Sequence, residues 1–428
     1  MKRHTKVEKF FESSTRPYGE KNFSAFVCRV RRFIARSRLQ LRNLALTLLL
    51  IGLSIPAFAG LRPHFVINSD GISFPDTPDF SIQYSFFTEL DTSYFSNNPL
   101  NVKGDTNVRQ IETWESITWG QNWHLYFSQR WFNSEKLHNA LLTYTRKYYT
   151  LSAGQVAPLF GLNNTNTEAG LMFPEYNLPD NALSPPSTLG LFPSLNGDHW
   201  ALQLSATSFQ LAKSYKKPAP FGLIERFFIA PYHTDHDALD IGFSYWYQKP
   251  DGSHQFDAGT IPEATTASQP NFVNTGTINN VQQFGVGDAE FGIEHHAFSF
   301  QTEYLFSNVA RNRGQPNLVF RGYYLMSGYY LTGESETYHF PTGYFTGPSK
   351  LNHSYGAVQL AGRISEIDLD SHDIQGGKEL NATLGVNWYI TTKTVLRFNF
   401  IHVWNEIPTT NQRKNFNIAL LRLQTGIY

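Results

Sequence analysis

The feature that most constrains this chain is a two-residue alternation that runs for about ten residues at a time. In 200–207, Trp200, Leu202, Leu204 and Ala206 alternate with Ala201, Gln203, Ser205 and Thr207. In 239–248, Leu239, Ile241, Phe243, Tyr245 and Tyr247 oppose Asp240, Gly242, Ser244 and Gln248. Phe298, Phe300, Tyr304 and Phe306 oppose Ser299, Gln301 and Glu303, and in 380–390 Leu380, Ala382, Leu384, Val386, Trp388 and Ile390 oppose Asn381, Thr383, Gly385 and Asn387. A period of two places the two sets on opposite faces of a strand. Ten residues is about what a tilted strand needs to cross a bilayer, and roughly twice the ordinary strand of a soluble sandwich. Aromatics gather at strand ends, at Trp119, Trp123, Trp131, Tyr148, Tyr149, Trp388 and Trp404, as they do at membrane interfaces. Within hydrocarbon every backbone polar group must be paired, so a spanning β structure has to close on itself. The pattern predicts an all-β, transmembrane antiparallel β-barrel in the cell outer membrane, facing lipid and lipopolysaccharide.

The N-terminal 59 residues differ in kind. They carry twelve Lys/Arg against three Glu, followed by an apolar run from Leu44 to Ile55 and the exit Pro56-Ala57-Phe58-Ala59. A basic flank, a dozen apolar residues and an A-x-A exit read as a secretory signal peptide, with cleavage expected after Ala59 and the barrel domain over 60–428. Removing twelve basic and three acidic residues from 35 of each leaves 23 and 32, so the exported part is acidic. That balance argues against nucleic acid as a partner. The one cysteine, Cys28, leaves with the leader, so neither a disulfide nor a Cys metal site is expected.

Along the chain we count sixteen segments of strand character, an even number as single-chain bacterial barrels have. The ninth is 253–260. Tight connections such as Gly120-Gln121-Asn122, His295-His296-Ala297 and Thr391-Thr392-Lys393 are expected on the periplasmic side. The link 332–354 is an exception, a long one on that same side. The longest connection, Ala157–Asn196, is the third external one; it contains Glu168, Glu175 and Asp180 but no Lys or Arg, and Pro174, Pro179, Pro185, Pro186 and Pro193 stiffen it.

Strand parity lists residues opposite the apolar faces, expected to line a pore: Arg130, Arg363, Arg397 and Arg422, with Asp240, Glu290, Glu294 and Glu303. Charges of both signs across a lumen create a transverse field that favours polar solutes, and they also pair with one another. His233-Thr234-Asp235-His236-Asp237, in an expected external loop, has ligand types for a divalent metal, and Asp368, Asp370, His372 and Asp373 have oxygens for calcium. Short clusters of this kind in loops are ordinarily solvated, and neither has a defined metal spacing, so no metal or other cofactor is assigned. His295-His296 reads as an incidental pair in a turn. There is no G-x-S-x-G elbow and no spacing that selects a catalytic Ser/His pair, and no enzyme activity is expected.

Several stretches resemble the phosphate-selective porin O and P family. They are Gln301-Thr302-Glu303-Tyr304, Gly322-Tyr323-Tyr324, the run Tyr330-Leu331-Thr332-Gly333-Glu334, Gly362 to Leu369, Ile374-Gln375-Gly376-Gly377, and Leu384-Gly385-Val386-Asn387-Trp388-Tyr389. Leu151 to Gln155 with Pro158 fits more loosely. The resemblance implies a sixteen-stranded homotrimeric porin, delivered by the barrel-assembly machinery, whose long third external loop folds inward to narrow a water-filled channel. Phosphate-selective members are similar in having pores rich in Lys and Arg, and the acidic loop here departs from that. Passive diffusion of small hydrophilic solutes is the expectation. A substrate-specific anion or sugar channel and a surface adhesin or receptor with a plugged lumen are the alternatives.

Overall fold

The computed structural model describes residues 66–68, 71–73, 79–131, 137–211, 213–266, 271–312, 314–407 and 412–427. The expected leader and its cleavage point lie outside the described residues. Eight strands form the first half of a sheet: β1 Phe80–Phe95, β2 Thr106–Trp119, β3 Trp123–Arg130, β4 Leu137–Arg146, β5 Tyr149–Val156, β6 Thr188–Asn196, β7 Trp200–Thr207 and β8 Phe221–Ile229. The second half is β9 Asp237–Lys249, β10 Val281–His295, β11 Phe298–Arg311, β12 Leu318–Tyr330, β13 Ala357–Ser371, β14 Ile374–Thr391, β15 Thr394–Ile407 and β16 Gln412–Ile427. Each pairs antiparallel with its neighbours in sequence. The last strand returns to the first, from Ile418↔Phe95 to Ile427↔Phe86, and closes a sixteen-stranded barrel.

Burial along the strands is inverted relative to a soluble protein. In β14, Leu384 is 71% exposed and Val386 41%, whereas Thr383 and Asn387 are buried. Phe227 and Ile229 of β8 are exposed while Arg226 is fully buried. The apolar face therefore points outward and the polar face into the lumen, which suits a hydrocarbon surround. At the rim of tight turns, Trp119 stacks on Trp123 across the turn at 5.9 Å, Trp123 meets Tyr144 at 4.9 Å, and Tyr144 meets Tyr149 at 6.3 Å. These four rings form a continuous stretch of interfacial girdle across β2 to β5.

The strand number matches the sequence count, but two members differ. Thr188–Asn196 is a barrel strand, paired to β5 from Tyr149↔Leu195 to Val156↔Thr188. The long connection is therefore 157–187. Pro193 cannot donate to a ladder, and the pairing of β6 with β7 skips from Leu191↔Ala206 to Ser194↔Gln203 around it. Conversely, 253–260 is not part of the wall. Only Gly259–Thr260 is extended there, paired with Val273–Asn274, and Phe256 and Ala258 pack into a lumenal core. The two differences offset one another in the count. Between them they exchange sides, so 230–236 lies at the rim of tight turns and not among the external loops.

Three connections pack against the inward face. The segment 157–187 carries a short helix, α1 Leu178–Leu183, with Pro179 in its first turn and Asn177 as N-cap, whose side chain accepts from Asp180 N at 3.0 Å. Phe160, Leu178 and Leu183 join Trp246, Phe284 and Ile367 of the wall in one apolar cluster. The segment 250–280 places Phe272 against Phe416 at 5.1 Å. From the opposite rim, 331–356 makes a hairpin of Thr337–Tyr338 with Phe345–Thr346. It meets the first segment where Asn166 Nδ2 donates to the Phe345 carbonyl at 2.5 Å.

This orientation predicts a position-dependent cost of charge on the outer face. Leu384→Arg, mid-strand and facing out, should destabilise the barrel by roughly 2–4 kcal/mol in lipid, and Leu331→Arg, at the rim, by about 0–1 kcal/mol. Urea unfolding in lipid vesicles reads both. Equal costs at the two positions would contradict an outward, membrane-facing Leu384.

Candidate functional site

The candidate site is the lumen where 157–187 crosses from one wall to the other. The wall of β13, β15 and β16 supplies cations. Arg397 Nη2 donates to the Leu171 carbonyl at 2.9 Å and Arg363 Nη1 to the Glu175 carbonyl at 2.9 Å. Arg422 Nη1 takes the Pro174 carbonyl. Two amides extend the series: Asn387 Nδ2 to the Met172 carbonyl at 2.9 Å and Gln424 Nε2 to the Ala169 carbonyl at 2.8 Å. Period-two spacing on adjacent strands stacks these donors, so five of the seven loop carbonyls from Ala169 to Glu175 each find one. The Arg363 guanidinium also lies 4.4 Å from the Phe173 ring centre.

The carboxylates of the loop answer that wall and arginines of β2 and β3 beyond it. Glu175 receives Arg109 Nε at 3.0 Å and Arg422 Nη2. Glu168 lies 3.7 Å from Arg109 and 3.4 Å from Arg130. Arg422 further holds Asp91 at 2.7 Å and Glu89 at 3.2 Å, Arg130 holds Glu112 at 3.2 Å, and Arg363 holds Glu263 of 250–280 at 2.9 Å. Asp180 accepts from Asn177 Nδ2 at 2.5 Å and from Ser184 Oγ at 2.9 Å.

Across the lumen, β9, β10 and β11 supply anions that accept backbone amides. Glu303 takes the Leu162 amide and the Asn163 amide at 3.1 Å, with Tyr324 Oη at 2.7 Å. Glu294 takes the Glu336 amide at 2.8 Å, and Asp240 accepts from Tyr338 Oη. Glu290 is paired to Arg226 at 2.9 Å, and Arg226 donates onward to the carbonyls of Thr342 and Gly343, both at 2.8 Å. Asp288, buried beside Glu290 and Glu303, adds a further carboxylate.

All eight wall residues named from parity thus sit on the inward face, and the loop carboxylates Glu168, Glu175 and Asp180 meet or adjoin them. Sequence reading passed over Arg109, Arg226, Glu89, Asp91, Glu112, Asp288, Glu263 and Glu336. Arg226 lies on a strand with weak alternation, and Arg109 falls at a register shift between Glu89↔Gln110 and Leu90↔Val108, where parity breaks. Glu263 and Glu336 lie in connections, where parity carries no information.

A family model described as phosphate-selective porin O and P matches residues 88–427. The chain belongs to that family. Porin O of Pseudomonas aeruginosa is 26% identical over 208 residues, 42% of this chain and 47% of that protein, so the match spans about half of this relative's length. The fold is similar to that of a loop-deletion variant of OmpT, an outer membrane protein of Vibrio cholerae, with a TM-score of 0.53, 7% identity, and 81% and 99% of the two chains covered. The anion-selective porin from Comamonas acidovorans is similar with a TM-score of 0.50 at 7% identity, over 81% and 99%.

In this member of the family the seat of the loop rests on Glu175. Burial opposes its ionisation, but the charges of Arg109 and Arg422 outweigh burial and hold the carboxyl at about 2. Because the docked value lies below the ordinary 4.5, ionic docking is intact above that value and is lost as pH falls through about 2. Protease protection of 157–187 should therefore persist down to about pH 3. Glu175→Gln leaves Arg109 and Arg422 each short of a partner, a change that costs about 3–5 kcal/mol for a buried pair. Arg422 keeps Asp91 and Glu89, which puts the expected loss at the lower end. Protection unchanged in Glu175→Gln at neutral pH would show that the loop is seated by something else.

Proposed function

We propose that the chain is an outer-membrane channel for passive diffusion of small hydrophilic solutes, a homotrimer that prefers cations and does not select phosphate. The observation that carries this is the balance of charge inside the barrel. Among the described residues, fourteen Asp and Glu are buried against five Arg and no Lys, and the partly buried Arg109 and Arg130 still leave acidic residues in excess. Phosphate capture rests on fixed positive charge with donors to spare. Here the inward arginines are engaged by carboxylates and loop carbonyls. The family membership supports a channel. The trimer form of OmpT, at a TM-score of 0.51, has the same fold and supports the homotrimer through that likeness. The barrel itself calls for insertion by barrel-assembly machinery and for lipid and lipopolysaccharide around it, and the family membership favours a channel over an enzyme. The eight inward wall residues line the path, and 157–187 narrows it.

A second reading has an observation of its own. Segments from both rims meet inside the barrel at Asn166 and Phe345, which suits a plugged barrel serving as a surface receptor. Planar-bilayer recording separates the two. A channel gives defined conductance steps, a reversal potential on the cation side in a salt gradient, and chloride current indifferent to micromolar phosphate. Strong anion preference with phosphate block would overturn the selectivity, and absence of steps would favour the plug. Replacing 164–182 by a short Gly/Ser linker spares the β6 strand and should raise conductance several-fold.

A further inference from the structure

The barrel brings together two adjacent pairs, His236-Asp237 and His295-His296, that lie far apart in sequence. Asp237 opens β9 and His295 closes β10, and the register makes them direct cross-strand partners. His295 Nδ1 lies 2.6 Å from Asp237 Oδ1. His296 follows in the tight turn with a left-handed φ of 50°, which swings its ring to within 4.7 Å of the His295 ring centre. The neighbouring turn is tied on by the His296 amide, which donates to the His236 carbonyl at 2.7 Å. The His236 ring stacks over His296 at 6.1 Å, and its Nδ1 is oriented by Ser335 Oγ at 3.0 Å.

Asp237, His295 and His296 each offer one ligand atom within 4.8 Å of the others. Donor atoms bound to zinc at about 2.0–2.2 Å lie about 3.4 Å apart, a distance that rotamer changes of exposed side chains can reach. We propose that this rim cluster is a binding site for a divalent transition-metal ion of the zinc class, held by His295, His296 and Asp237 with His236 in reach as a fourth ligand. The donor set decides the class. Two or three neutral imidazoles and one carboxylate suit zinc, nickel or copper, while magnesium and calcium prefer oxygen alone. With Nδ1 donating to Ser335 Oγ, the contact between His236 and Ser335 is the kind of outer hydrogen bond that fixes a ligand ring and leaves Nε2 free for a metal. Asp237 and His295 stay accessible, at 33% and 69% side-chain exposure, so an ion can enter from solvent. Ser335 belongs to the root of 331–356, so the ion would tie two turns to the start of the segment that enters the lumen from this rim.

The test is isothermal titration of the full chain, folded in detergent micelles, with zinc chloride. One saturable site per chain is expected, unaffected by millimolar magnesium. The pair His295→Gln with His296→Asn keeps a residue that tolerates positive φ in the turn and should weaken binding by at least roughly tenfold. His254→Ala, a distant histidine, should bind as the parent does. Asp237→Asn, which leaves both imidazoles and the turn in place, serves if the double variant fails to fold, and should also weaken binding. Absence of saturable zinc binding overturns the proposal. So does zinc affinity unchanged in the variants that fold, which would place the ion elsewhere.

Discussion

A backbone amide or carbonyl left unpaired in hydrocarbon costs several kcal/mol, and the pairing of β16 with β1 removes the sheet edges where such groups would lie. The rest of the architecture follows from that closure. Once the wall is continuous, each strand has a face toward lipid and a face toward the lumen, and side chains can differ only with a period of two. Outward positions such as Leu384 and Phe227 become exposed apolar surface, and inward positions such as Arg226 and Asn387 become buried polar surface. Burial in this protein is thus a property of the lumen, where inward polar side chains and the apolar clusters of the inserted segments pack together.

That polar inner surface has to be satisfied in turn. Part of the answer is backbone drawn from the connections. Arginines and amides of β13 to β16 take carbonyls between Ala169 and Glu175, while Glu303 and Ser244 on the opposite side take amides of Gly161 to Asn163. One segment therefore presents amides at its entry and carbonyls further along, each to the wall of complementary charge. This arrangement explains why the stretch from Glu168 to Glu175 carries acidic residues and no Lys or Arg. A cation on the loop would face a wall already rich in arginine and repel it, whereas Glu168 and Glu175 are matched by Arg109, Arg130 and Arg422.

The strands that alternate most cleanly were legible in the sequence because hydrocarbon on one side and a polar lumen on the other impose contrast at every second residue. Contrast fails where local packing supplies it for another reason. Phe256 and Ala258 alternate with polar neighbours in 253–260, yet the apolar pair faces the lumenal core and the segment never joins the wall. Thr188–Asn196 alternates through Leu189, Leu191 and Leu195, but Pro193 argues against a central strand; the barrel tolerates it at a gap in the ladder. The number sixteen survived because these two errors have opposite sign. The side assigned to 230–236 did not survive, and with it went the chance to see that His236 and Asp237 share a rim with His295 and His296. Lumen residues on strands could be listed from parity. Residues such as Glu263 and Glu336 could not, because nothing local says that a connection turns inward.

The same logic bears on what selects an ion in such a lumen. Counting arginines is a poor guide, since a guanidinium attracts an anion only with donors that are not already given to a carboxylate or a carbonyl. Arg422 illustrates the point: it contacts Glu89, Asp91, Glu175 and the Pro174 carbonyl at once. A phosphate would have to displace a carboxylate of like charge that is already seated and desolvated. Arg226 is similarly committed to Glu290 and to the carbonyls of Thr342 and Gly343. Arg226 and Arg422 therefore act as struts that hold inserted backbone against the wall.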